Sequence, residues 1–528
     1  MKRRHFLQGS LALPWLAGCF SGDQPLRGSI VGANHRLGHR LRQASSPAAG
    51  APRQVDVLIA GGGMAGLTAA WRLRHAGVEN FELLELEAEV GGNSRAAHYE
   101  VSPAPWAAHY LPVPTRESTV VRRLLSEMGL LRGGVVEDAE LCHSNEERVF
   151  VLGRWEDGLY PKAGASSDDF RQLREFDQHI LKWQKWRDRQ GRKAFAIPVA
   201  LSSPDPEVRA LDRESMADYL TRHGWNSPRL RWYVEYGCRD DYGCSLRNTS
   251  AWAGLHYFAS RDGGGFEPKD MQFVWPEGNH RLVQHLVRDL GSRLHTGQLV
   301  TRLEKLSKGW LVQACDEQGR LQSWNARSVI FALPTFLRPY LLKESPRAGF
   351  TYAPWTVCNL VLERLPDSLS AVGAGLSWDN VLYDSPGLGY VVATHQTQSH
   401  LQGPSVWTYY RPWAELEPAQ ARQRMLQADW NQVSSQVFAE LASVHPDLRE
   451  VCRQLDVMHL GHAMIRPGPG FLWGEERRLA ALPLPDLYFA HSDLSGISIF
   501  EEASYQGVRA AQELLADRGI QGEDFLGG

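Results

Sequence analysis

The chain has 528 residues, more than one hydrophobic core normally serves, so two domains are expected. Apolar residues make up 43% of it, enough for a large folded core, while the formal net charge is only -3. So balanced a charge argues against a nucleic-acid binder and leaves no field strong enough to choose partners by charge alone.

The first ten residues carry paired Arg3 and Arg4 followed by Phe6 and Leu7, and a short apolar stretch runs from Leu11 to Ala17. That stretch is too short to cross a bilayer as a helix and reads as an export signal. Arg-Arg-x-Phe-Leu resembles the bacterial twin-arginine signal, which exports folded proteins. Leu16-Ala17-Gly18-Cys19 resembles a lipobox, whose cysteine becomes a lipidated N-terminus; an ordinary cleaved signal with a chance cysteine is the alternative. The expectation is a signal over residues 1–22 and a periplasmic protein, lipid-anchored through Cys19. Residues 23–53, rich in Gly, Pro, Ser, Ala and Arg, are expected to form a flexible tether.

From Val55 the chain reads Val-Asp-Val-Leu-Ile-Ala, an apolar run of the kind a central parallel strand needs. Gly61, Gly63 and Gly66 follow as Gly-x-Gly-x-x-Gly, with Met64 and Ala65 opening an amphipathic helix. In a dinucleotide loop the first glycine makes the tight turn, the second admits a pyrophosphate and the third lets helix and strand pack closely. The helix start offers free N–H groups to the phosphates. A second strand ends at Glu85, nineteen positions after Gly66, where an acid binds ribose hydroxyls.

Gly91-Gly92-Asn93-Ser94-Arg95 comes next, and here the sequence resembles the flavin-containing amine oxidase superfamily. In that family an acid, a short spacer and a Gly-Gly-Arg loop bring a second turn onto the pyrophosphate. Asn93 stands where arginine is usual, and Arg95 is the candidate substitute. Trp275–Asn279, a helix through Leu282 and Leu286, and Leu299–Leu303 resemble the family's Pro-x-Gly-Gly helix and adenine-side strand, with Val300 against the adenine. Near the C-terminus, Ala490-His491-Ser492-Asp493 resembles the closing motif, its acid shifted by one position. Asp493 or Ser492 would meet the ribityl-pyrophosphate region, and the N–H groups of Phe500 and Glu501 would face the flavin O2. The resemblance implies non-covalent FAD.

It also implies an α/β fold: a Rossmann-like FAD domain from 54–114, 270–335 and 461–520, interleaved with an α+β substrate domain from 115–269 and 336–460. The first insertion is mainly helical by period; the second reads as a sheet, then a helix from about Pro418 to Leu441. His109 and Tyr110 follow the second loop and are candidates to line the reactive face, or to be packing residues. Asp240 and Asp241 lie among aromatics, a mixture that attracts a cationic amine, and are equally readable as a helix cap and a surface charge. His462 and Trp473 stand where amine oxidases place aromatic walls. Of six cysteines beyond Cys19, Cys238 and Cys244 are close enough to pair, though free thiols fit as well. No Cys/His cluster has metal-ligand spacing, so no metal is expected.

No lysine follows Lys343, and Lys305 and Lys308 fall in a segment that reads as a hairpin, so no residue is named as acid–base catalyst. The expected function is oxidation of an amine, a polyamine among the candidates, by hydride transfer to the flavin N5, with oxygen or a membrane-linked acceptor taking the electrons. Two alternatives stay open: a desaturase or oxidase of an isoprenoid- or porphyrinogen-type substrate, and a flavin-bearing redox-partner lipoprotein.

Overall fold

The computed structural model describes residues 25–43, 51–143, 145–263, 271–344, 347, 349–368, 375–397 and 403–527. The expected signal and Cys19 lie outside them. Among the described residues no helix is long and apolar enough to cross a membrane.

The strand Arg53–Ala60 is wholly buried over its second half, as a strand covered on both faces must be. It sits in the middle of a seven-stranded sheet, parallel to Phe81–Leu84 on one side and to Leu321–Phe331 on the other. Leu487–Phe489 joins in parallel from the far end of the chain, and the hairpin of Leu299–Lys305 and Trp310–Cys315 extends the sheet antiparallel. The helices Met64–His75 and Phe500–Asp517 cross on this sheet at Gly507. A Cβ there would lie 2.1 Å from the Ala65 oxygen, so the crossing is backbone to backbone.

A second, eight-stranded sheet carries Cys452–Ile465, Tyr352–Leu362, Ser405–Pro412, Gly389–Val392 and Asp379–Leu382. The first insertion, expected to be mainly helical, also contributes Glu147–Val151 to it, parallel to Asp379–Leu382, and Arg154–Asp157 beyond. The rest of that insertion is helical: Ser167–Lys185, Pro228–Tyr242 and Ala251–Ala259 pack around Phe176, Tyr219, Tyr242 and Trp252.

Two expectations are corrected. The single helix from Pro418 to Leu441 is two, Pro418–Gln427 and Trp430–Leu441, because Asp429 caps the second in a reciprocal pair with Gln432. Nor is all of 23–53 a flexible tether. Ile30–Val31 adds a parallel edge strand beside Val457 and Met458, and His35–Gly38 forms a helical turn with Leu37 only 2% exposed. Composition missed this because one buried leucine and main-chain pairing, rather than an apolar period, hold the segment.

A dinucleotide cradle facing an acidic aromatic cavity

The three motif glycines differ in what surrounds them. Gly61 turns at φ +107, its N–H donating to the Leu84 oxygen at 2.8 Å, and a Cβ on Gly66 would sit 1.9 Å from the Gly61 oxygen. Both positions are closed by protein. Gly63, between them, has no atom within 4 Å of its would-be Cβ. The helix it precedes has no side-chain cap, leaving the N–H groups of Met64, Ala65 and Gly66 for an anion. An open middle glycine over an uncapped helix start fits a bound pyrophosphate.

Glu85 ties the loops together. Its carboxylate accepts N–H bonds from Gly62 at 2.7 Å and Glu87 at 2.9 Å, and burial pushes its pKa up against those two bonds. The second loop lies on the first: Gly91 N–H donates to the Gly62 oxygen at 2.8 Å, and both Gly91 and Gly92 have positive φ. The Asn93 carbonyl then accepts from Ala108 N–H at 2.9 Å, and the Ala108 carbonyl from Asn279 N–H at 3.0 Å. Four motif segments distant in sequence thus make one continuous wall.

Within that wall Ser94 is buried, its N–H on the Gly91 oxygen. Asn93 donates its side-chain amide to the Ala463 carbonyl at 2.8 Å. Arg95 does not take over as a free cation: its Nε donates to the Gly92 oxygen at 3.1 Å and its Nη1 lies 3.2 Å from a Glu87 oxygen, so it braces the loop from behind. Val300 sits in the Leu299–Lys305 strand beside a register shift, its side chain in the core with Leu58 and Leu84.

At the C-terminal motif the shifted acid is already engaged by protein. Asp493 is 1% exposed, and its oxygens accept from Thr335 N–H at 2.9 Å and Tyr352 OH at 2.6 Å and lie 2.9 Å from His491 Nδ1. Burial raises its pKa, but His491 and these donors outweigh burial and hold it below the usual range. Asp493 is therefore a brace between the turn at Thr335–Leu337 and the strand Tyr352–Leu362, and the neighbouring Ser492 is buried. Phe500 and Glu501 open the last helix, which again lacks a side-chain cap. The buried Glu501 carboxylate is 2.9 Å from Arg261 Nη1.

His109 and Tyr110 extend the same wall into an aromatic cluster. The His109 ring lies 4.9 Å from Tyr110, 5.4 Å from Trp378 and 4.7 Å from Tyr410, centroid to centroid. Tyr410 OH donates to the Ala107 carbonyl at 3.1 Å, and Tyr236 OH to Asp379 at 3.2 Å. Asp240 and Asp241, in the last turn of Pro228–Tyr242, face the same space as Tyr110 and Tyr257. His109, Tyr110, Asp240 and Tyr257 are all partly accessible, so the aromatic cluster and the acids beside it are not sealed into the core. Asp241 is buried, so the surface-charge reading does not hold for it.

Burial raises the pKa of these acids: Asp240 well above the usual range, Asp241 to about 6 and Asp379 to about 7. Burial also holds His109 down at about 4, so its ring is neutral at pH 7. Arg261 stays cationic, because Glu501, Asp241 and Tyr110 outweigh its own burial.

The other two sequence candidates lie elsewhere. His462 stacks on Phe336 at 4.2 Å beside Tyr352, and Trp473 packs near Trp252 in the helical core. Cys238 and Cys244 are buried free thiols. Sequence reasoning missed Arg261, Tyr257, Trp378, Asp379 and Tyr410. The one available signal was the 405–412 strand, whose polar and aromatic residues are nearly all buried.

This architecture is a Rossmann-like α/β fold with an interleaved second domain, the two-domain fold of the flavin amine oxidases. The family described as NAD(P)-binding Rossmann-like domain matches residues 59–128. Putrescine oxidase bound to putrescine superposes with a TM-score of 0.63 at 16% identity, covering 88% of this chain and 100% of that one. Cyclohexylamine oxidase from Brevibacterium oxydans gives 0.60 at 16% identity, over 88% and 99%. Among curated proteins, "Putative flavin-containing monoamine oxidase AofH" of Mycobacterium tuberculosis is 26% identical over 291 residues, 54% of this chain and 58% of that protein. The peroxisomal N(1)-acetyl-spermine/spermidine oxidase of Bos taurus is 40% identical over 91 residues, 17% of each chain. The chain thus spans 58% of the length of the first of these relatives.

Proposed function

We propose that this chain is an FAD-dependent oxidoreductase that oxidises an amine. One observation carries the reading: the wall from Gly62 to Asn279 that frames the dinucleotide cradle continues, through Ala107–Tyr110, into a cluster of aromatic rings with acids beside it. The cradle would hold FAD with the loops at Gly61–Gly66 and Gly91–Asn93, the Val300 strand, Ser492 and the helix start at Phe500. When bound, its flavin accepts hydride at N5 from the carbon next to nitrogen and passes the electrons on. The NAD(P) wording of the domain family describes the βαβ unit; the second loop and the closing helix are what favour FAD.

The chain's own residues supply binding, orientation and charge. Asp241 and Asp379, ionised once the pH passes about 6 and about 7, draw an ammonium group in, and the rings of Tyr110, Tyr257 and Tyr410 flank it. Neutral His109 adds no competing cation. Acids on both the 228–242 helix and the 379–382 strand suit a substrate with more than one amino group, such as a polyamine. They speak against an isoprenoid or porphyrinogen substrate, which needs an apolar tunnel. The twin-arginine pattern and Cys19 support a periplasmic, lipid-anchored enzyme whose electrons go to oxygen or a membrane-linked acceptor.

The test is anaerobic. Protein lacking residues 1–22 is purified, its flavin spectrum recorded, and the sample mixed with mono-, di- and polyamines. Bleaching of the flavin band by one amine class is the expected result; a flavin that stays oxidised with every amine rules out the amine reading.

A further inference from the structure

The segment at 27–42 lies across both domains, and its contacts gather at one end of the dinucleotide cleft. It zips onto the substrate-domain sheet by main-chain bonds: Arg27 N–H to the Arg453 oxygen at 3.0 Å, Leu455 N–H to the Arg27 oxygen and Val457 N–H to the Ser29 oxygen, both at 2.9 Å. It then crosses to the nucleotide domain. Asn34 N–H donates to a Glu87 oxygen at 2.7 Å, and the Asn34 amide to Glu317 at 2.7 Å. Arg40 donates to the carbonyls of Asp316 and Glu317 at 3.2 and 2.8 Å. Between these clips Leu37 is buried against Leu299 and Cys315, with Leu86 packed alongside.

Leu86 and Glu87 directly follow Glu85, and Leu299 precedes Val300, so this contact lies at the adenosine end of the site. A chain of bonds also links the segment to the second glycine loop: Asn34 to Glu87, Glu87 to Arg95 at 3.2 Å, and Arg95 to the Gly92 oxygen at 3.1 Å.

We propose that residues 27–42 are a latch on the dinucleotide site, which must lift for the cofactor to enter or leave and which, when closed, holds the Gly91–Arg95 loop in its binding position. The proposal rests on the FAD reading above. Leu37 and Asn34 are positioning residues in it, acting through Leu86, Glu87 and Arg95. Between Cys19 and Arg27 there are only seven residues, an extended reach of roughly 25 Å, so a lipid anchor would hold the latch close to the membrane.

The experiment uses protein beginning at Gly22 and loaded with FAD. Flavin release after dilution is followed by the rise in its fluorescence for wild type, Leu37→Asp and the conservative Leu37→Met. Release from Leu37→Asp is expected to be about tenfold faster, as loss of one buried leucine on opening implies, with Leu37→Met near wild type and the bound flavin spectrum unchanged. In wild type, amide exchange over 27–42 should slow when FAD is added to the apoprotein. Equal release rates in all three, or exchange in this segment indifferent to FAD, overturn the latch while leaving the cofactor reading intact. A wild type that takes up no FAD overturns both. Should Leu37→Asp fail to fold, the exchange comparison on wild type decides alone.

Discussion

The two halves of the site are built from different materials. On the cofactor side the shape is made by backbone: glycines that turn, carbonyls and N–H groups that join loop to loop, and two helix starts without caps. On the other side it is made by side chains, with acids, tyrosines and one arginine brought from five segments into one cluster. A backbone site depends on spacing within short motifs and fails when a Cβ is added. A side-chain site depends on charge balance and fails when a partner is removed.

The largest effect should come from that charge balance. Arg261→Met leaves Glu501 and Asp241 buried without their cation, which costs about 3–5 kcal/mol of stability for a broken buried pair. Denaturant unfolding of the single variant against Arg261→Met/Glu501→Gln checks it, because the double variant should recover much of the loss. A single variant as stable as wild type would show that the cavity does not depend on this pair.

The glycines sharpen the contrast on the cofactor side. Gly66→Val forces a contact where a Cβ already stands 1.9 Å from backbone oxygen and should cost about 3 kcal/mol by overpacking. A Cβ on Gly63 has no atom within 4 Å, so Gly63→Val should leave apoprotein stability within about 0.5 kcal/mol of wild type. Its FAD affinity should nevertheless fall about a hundredfold, since the added branches fill the space that a pyrophosphate needs. Calorimetry of the apoproteins and titration with FAD separate the two outcomes.

This difference in material also explains what could be read in the sequence. Gly61, Gly63, Gly66, Glu85, Gly91 and Gly92 stand at spacings that local geometry enforces, so the cradle was legible before any coordinates. The place of His109 and Tyr110 after the second loop put them next to Ala108, whose main chain joins Asn93 to Asn279. Asp379, Tyr410 and Arg261 were not legible, because strand pairing and helix packing bring them in from 379–382, 405–412 and just beyond the helix 251–259, where no local motif marks them. At Asp493 the motif located an acid, but the direction of its side chain is set by Thr335 and Tyr352, brought in from elsewhere, and by His491. Residues 25–43 were unreadable because main-chain pairing leaves no trace in composition.

A smaller effect tests the cavity by pH. Asp379 has a pKa raised by burial to about 7, so below that pH it is neutral and cannot hold an ammonium group. The kcat/KM for a diamine should therefore climb as pH rises through about 7, by about tenfold per unit on the acid limb. Asp379→Asn should abolish that limb and lower kcat/KM at pH 8 by about tenfold, for the loss of one charge-assisted contact. The linked effect on stability has the opposite sense. Asp379 holds its proton more tightly folded than unfolded, so its contribution, full below the unfolded carboxylate range, is lost as pH rises through 7, and the asparagine variant should gain at pH 8 what the wild type loses. An acid limb that survives in Asp379→Asn would assign the titration to Asp241 or to the substrate.

The smallest effect is expected at Asn93, where the backbone and side-chain descriptions meet. Its carbonyl is part of the continuous wall, accepting from Ala108, whereas its amide reaches only the Ala463 carbonyl at an exposed position. If the wall is a backbone construction, Asn93→Ala keeps the Ala108 bond and loses one partly solvated hydrogen bond, about 0.5–1 kcal/mol. FAD affinity measured by titration should then fall by no more than about fivefold, the equivalent of that bond. Loss of a hundredfold or more would mean that the Asn93 side chain itself grips the cofactor, and the division between a backbone-built cradle and a side-chain-built cavity would have to be redrawn at this residue.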